Sequence, residues 1–143
     1  MKFEPASLWL RLLAGIYDLL PLLGLWFFAG ALALALSGGT LENHRDLRAL
    51  LTQGFVLAFT AAYFVISWTR GGQTIGMRAW RLRVVRAGDA RVTWARALLR
   101  FAVALISLAC VGIGFLWALF DAENRTWHDL AAGTVVARTS RTA

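Results

Sequence analysis

WLRLLAGIYDLLPLLGLWFFAGALALAL, residues 9–36, is apolar apart from two charges, Arg11 and Asp18. From Leu19 to Leu36 the chain runs 18 residues without a charge. At ~1.5 Å per residue such a run crosses ~30 Å of hydrocarbon as one helix. ALALAL at its end looks like a signal-peptide cleavage region. The two charges put the apolar run too far into the chain, and it is too long for a signal h-region, so it reads as a retained span. An aspartate beside such a run is expensive in lipid and needs a partner, a proton or a bound cation. Pro21 removes an amide donor and frees the carbonyl of Tyr17 next to Asp18, which predicts a kink and a polar notch. A neighbouring helix or water satisfies such a notch, or its oxygens suit a hard cation.

The rest of the composition agrees. The chain has 143 residues, 59% of them hydrophobic, and the apolar residues fall in three long blocks. This predicts one domain, residues 1–143, of an all-α integral membrane protein. Spans are expected over about 8–36, 50–69 and 97–120, with an arginine-rich loop over 70–96 and a short C-terminal tail over 121–143. Gln53, Thr60 and Tyr63 are polar members of the second span, a residue type that bonds across membrane helices. Gly112 and Gly114 in the third offer close helix approach. Gly72 and Gly76 have the spacing of a helix-dimer motif but lie in the loop, so they are discounted as one. Cys110, the only cysteine, excludes an intramolecular disulfide and a Cys-rich metal site.

The formal charge is +7, carried by fourteen arginines and one lysine against eight acids. Seven of the arginines lie between positions 70 and 96 with one acid, Asp89. WRLRVVR alternates, AGDA reads as a turn, and RVTW alternates again, which predicts either a small hairpin or an interfacial amphipathic helix. The positive-inside rule puts this loop, and with it the N-terminus, on the cytoplasmic side. The polar loop over 37–48 and the tail then lie outside, unless the tail folds back into the bilayer. Anionic lipid headgroups are the partner such a loop implies. Nucleic-acid binding is less economical, since Trp80 and Trp94 fit a headgroup belt.

Arg11 and Asp18 stand seven residues apart, ~10 Å along a helix. Side chains pair at three or four, so each is expected to find a separate partner. Arg11 is expected to snorkel to the interface. Arg100, at the start of the third span, is the expected intrachain partner of Asp18. In the tail, Asp121, Arg125, His128 and Asp129 complete the candidate charge site. His128 beside Asp129 has no nucleophile motif, and Asp121, His128 and Asp129 do not form a recognised metal-ligand pattern. No enzyme activity, cofactor or metal site is therefore expected.

Three stretches together resemble the RDD family of small bacterial membrane proteins, named for one arginine and two aspartates. RLLAGIYD looks like the opening motif, with Arg11 and Asp18. GGQTIGMRAWRLRVV is similar to the family's Gly-Gln-Thr-x-Gly stretch, here Gly72, Gln73, Thr74, Gly76 and Arg78. DAENRTWHDLAAGTVV resembles the closing pattern, here Asp121, Arg125, His128, Asp129, Gly133, Thr134 and Val136, with Asp129 as the second aspartate and Asp121 as its rival. Met77 departs from the lysine common there, while Arg78 keeps the charge. The resemblance implies a multi-pass protein of the bacterial cytoplasmic membrane and a proposed role in transport. The concrete form is proton-coupled exchange of a monovalent cation through Asp18, with His128 or Asp129 relaying protons. A homo-oligomer is implied too, since three spans are few for a pathway. The alternative is a non-transporting structural or accessory protein whose charges clamp its helices.

Overall fold

The computed structural model describes residues 3–36, 47–86 and 90–139. The elements, in chain order, are strand β1 (Phe3–Pro5), helices α1 (Leu8–Leu36), α2 (Leu47–Arg70) and α3 (Ile75–Ala79), and strand β2 (Leu82–Arg86). Helices α4 (Trp94–Ala109), α5 (Ile113–Leu116) and α6 (Trp127–Ala132) and strand β3 (Thr134–Thr139) follow. Most of the expected 37–48 loop, and the turn around Asp89, lie outside the described residues.

Helix α1 continues through Pro21 without a break over 29 residues, ~44 Å of helix. Helix α2 packs along it, and the indole of Trp26 donates to Thr60 Oγ1 at 2.8 Å between them. This is the cross-helix use expected of Thr60. Helices α1 and α2 are each long and apolar enough to cross a membrane. Their outer faces leave large apolar side chains exposed, Phe27 and Leu20 among them, as lipid contact requires.

The third apolar block departs from the expected straight span. Helix α4 ends at Ala109, and Val111 and Gly112 both take left-handed backbone, with φ of 56° and 75°. Consecutive left-handed residues stop an α-helix, and the chain bends by 109° into α5 and the 3-10 turn Trp117–Leu119. A Cβ on Gly114 would lie 2.4 Å from Ser107 Oγ, so this glycine is indeed a point of close approach. Helix α6 then runs back beside α4.

The tail becomes the centre of a sheet. The strand order is β1-β3-β2, antiparallel throughout, with Pro5 opposite Ala137 and Val84 opposite Val136. WRLRVVR therefore does supply a strand, but its partner is the tail. RVTW is not a strand, since Trp94 already opens α4 behind Thr93. The expectation of a helical membrane protein stands in outline, with a small three-stranded sheet added to it. Because β1 and β3 pair, N-terminus and tail lie at the same end, so the tail is not a membrane thickness from Arg11. Ala6, Leu82, Val84, Val136, Ala97 and Phe101 form the core between sheet and helices.

Candidate functional site

Two buried carboxylates organise this end of the molecule. Asp18 comes from α1 one turn below Ala14, and 3% of its surface is exposed. Oδ1 accepts from Tyr63 Oη at 2.6 Å and from the Gly76 amide at 2.8 Å, and Oδ2 accepts from Thr74 Oγ1 at 2.6 Å. The Gly72–Gly76 motif thus closes over Asp18, rather than remaining a free loop. Thr74 does two jobs: its hydroxyl also accepts from the Met77 amide at 3.2 Å, capping α3. The capped helix lays Gly76 on α1, where a Cβ would stand 2.0 Å from the Ala14 carbonyl oxygen. The small-residue approach discounted at the sequence level is therefore real at Gly76. Gln73 Nε2 donates to the Leu82 carbonyl at 2.7 Å, joining the same turn to β2. Arg78 is exposed.

Asp129 is fully buried and joins two arginines. Arg11 Nη1 donates to Oδ2 at 2.6 Å, and Arg100 Nη1 donates to Oδ1. The Thr126 amide and hydroxyl also donate to Oδ2, at 3.0 and 2.8 Å, within a capping box that opens α6. Arg100 Nη1 reaches Thr134 Oγ1 at 2.7 Å, and its guanidinium lies 5.0 Å from the Trp68 ring centre. Arg11 Nε donates to the Ala6 carbonyl at 3.2 Å and Nη2 to the Val136 carbonyl at 3.4 Å. One carboxylate thereby ties α1, α4, α6 and the β1–β3 junction. Burial alone raises a carboxyl pKa, but here the Arg100 guanidinium, with Arg11, holds Asp129 well below the usual range.

This arrangement corrects two expectations. Asp18 does not pair with Arg100, which belongs to Asp129. Arg11 does not snorkel to the interface: its side chain is 10% exposed and makes an interior ion pair. The separate partners expected for Arg11 and Asp18 are present. So is the cross-helix role of Tyr63. The proline turn contributes no ligand to Asp18; Tyr17 instead packs its ring edge-to-face on Trp80 at 5.8 Å.

His128 sits behind Asp129, its Nε2 2.8 Å from Thr126 Oγ1 and its ring 4.9 Å from that of Phe115. The single Thr126 hydroxyl proton goes to Asp129, so Nε2 carries the imidazole proton and donates to Oγ1. Nδ1 has no hydrogen-bond partner among the described residues. Burial first, then Arg100, push the imidazole down to about 3, so it is neutral at pH 7. A neutral, enclosed histidine does not relay protons readily. Asp121 and Arg125 stand apart from both clusters, in a local pair at 3.0 Å. The Arg125 hydrogen bonds lower Asp121 to about 2, and Asp121 raises Arg125 in turn. Of the two rival second aspartates, Asp129 is the one that meets Arg11. Among the described residues no cluster of three or more His, Cys, Asp or Glu side chains has the geometry of a metal site.

Thr126 and Thr134 were not legible as site residues from spacing alone. Thr126 had a signal: Thr-x-x-Asp just ahead of an apolar stretch is a capping-box pattern. Thr134 stood in the closing pattern of the resemblance, but its role depends on β3 passing Arg100.

The RDD family model matches residues 5–133, nearly the whole chain. The protein belongs to the RDD family. In this RDD protein Arg11, Asp18 and Asp129 lie at one end of the fold, in two separate clusters. No curated protein and no solved structure gives a significant match.

Proposed function

We propose that this RDD protein is a non-enzymatic, non-transporting membrane module in which the two carboxylates are structural locks. The observation that carries this reading is that Asp129 is saturated by Arg11, Arg100 and Thr126. Removing one partner of such a buried pair leaves uncompensated charge and costs about 3–5 kcal/mol. The lock joins the first helix to the tail, so it sets how the chain's two ends meet. In this reading the bilayer is that of the bacterial cytoplasmic membrane, the sheet end is cytoplasmic, and the exposed arginines face anionic headgroups.

A second reading rests on Asp18. Unlike Asp129, it takes its hydrogen bonds from neutral groups, Tyr63, Thr74 and the Gly76 amide. Tyr63 and Thr74 give their hydroxyl protons to the carboxylate and bring no charge, so a proton or a small monovalent cation is left to neutralise it, the chemistry of exchange. Everted vesicles with a pH-sensitive dye separate the two readings. The lock predicts no cation-dependent proton movement by the wild type, and a large loss of folded yield and thermal stability in Asp129→Asn. Cation-driven proton flux that disappears in a well-folded Asp18→Asn variant overturns the lock as the function and establishes exchange. Unchanged stability of Asp129→Asn removes the lock itself.

A further inference from the structure

Neither carboxylate cluster uses the arginines at the end of α2, on β2 and ahead of α4. There, residues 68–72, 83–85 and 90–92 line a small concavity that opens to solvent. Arg70, Arg83 and Arg91 line it, and among the described residues no acidic side chain does. Among the described residues none of the three is in an ion pair. Arg83 is held in place by the family motif. Gly72 has φ of +68°, and a Cβ there would meet Arg83 Cγ and Nε at 3.1 Å. The missing side chain lets the Arg83 stem lie on the turn, while the Val84 amide donates to the Gly72 carbonyl at 2.7 Å and fixes the strand to it. Arg70 is the last residue of α2, one of the two helices long enough to cross a membrane. The mouth of the concavity is therefore at the level where that apolar helix ends.

Guanidinium forks match phosphate oxygens in pairs, and they lose little hydration in doing so. The concavity is small and open to solvent, so it suits the oxygens of a single phosphate rather than a whole ligand. We propose that Arg70, Arg83 and Arg91 form a binding site for one phosphate group, carried by an anionic lipid headgroup or free in solution. The lipid form rests on the reading that the sheet end faces headgroups.

The test uses the purified full chain. In nanodiscs of mixed phosphatidylglycerol and phosphatidylcholine, native mass spectrometry is expected to find phosphatidylglycerol retained preferentially. Arg83→Gln and Arg91→Gln are each expected to lower retention about tenfold, one charge-assisted contact. Arg138→Gln, an exposed arginine on β3 away from the concavity, is the control and is expected to change little. A parallel titration of inorganic phosphate in detergent identifies the free ion as occupant if it raises Tm in the wild type and not in Arg83→Gln. If Arg83→Gln does not fold, Arg83→Lys replaces it; it keeps the charge without the fork and is expected to lose part of the retention. Absence of both preferential retention and a phosphate-dependent Tm overturns the site. Loss of retention as large in Arg138→Gln as in Arg83→Gln also overturns it, while leaving general attraction of the face to anionic lipid intact.

Discussion

At the scale of single residues, the buried charges differ in what neutralises them. Among the described residues Asp129 has two cations and Asp18 has none, although both are almost fully enclosed. His128 records the cost of that enclosure. Its folded pKa is lowered from 6.5 to about 3, so between these values the unfolded chain takes up a proton that the folded chain refuses. Stability therefore falls as pH drops from about 6.5, by up to about 1.4 kcal/mol per pH unit from this one group. Asp129 works in the same direction at lower pH: its contribution is present above the ordinary carboxylate range and is lost as acid approaches its depressed pKa. Thermal unfolding of the detergent-solubilised chain from pH 7.5 to 5 is expected to show Tm falling. In His128→Gln the slope over this range is expected to flatten; an undiminished slope places the titrating group elsewhere.

At the scale of elements, α3 is too short to be stable by its own hydrogen bonds. It is held by the Thr74 cap at one end and by contact with α1 along its side. That contact is backbone against backbone at Gly76 and Ala14, so no side-chain rearrangement relieves a larger residue. Gly76→Ala is expected to push α3 off α1, strain the Gly76 amide bond to Asp18, and lower stability by about 1–3 kcal/mol. Differential scanning fluorimetry of the purified variant measures it, and a Tm equal to wild type shows that the approach is looser than described here. The arginine loop makes a related point. Alternation in WRLRVVR offered a strand beside an interfacial helix, because a period of two is local, and the strand is what forms. Its partner was not legible, because the nearer alternating stretch, RVTW, was the wrong one.

At the scale of the whole molecule, the sheet gathers the beginning, middle and end of the chain. Strand β3 has β1 on one side and β2 on the other, and Arg11 and Arg100 converge on Asp129 just behind it. A chain with three straight crossings cannot place its two ends this way. The break at residues 110–112 and the 109° bend return the chain instead. Reporters fused before Met1 and after Ala143 are therefore expected to give the same side of the membrane in intact cells. Opposite sides remove the β1–β3 pairing, and with it the Arg11–Asp129 contact.

Residues 9–36 alone determined that the chain has a long apolar helix and that Arg11 and Asp18 do not pair with each other. Helix periodicity and hydrophobic length are local properties, readable without neighbours. The family resemblance was carried by three motifs in order, and the family match covers all but the last residues of them. Which carboxylate meets which donor was decided only by the tertiary structure. Asp18 takes Thr74 and Gly76 from far along the chain, and Asp129 takes Arg11 across 118 residues. Such partners exist only once a bent helix and a sheet have brought separate segments to one end. An isolated charge in lipid indicates that a partner is needed, but its energy depends on distance in space, which spacing along a chain does not encode.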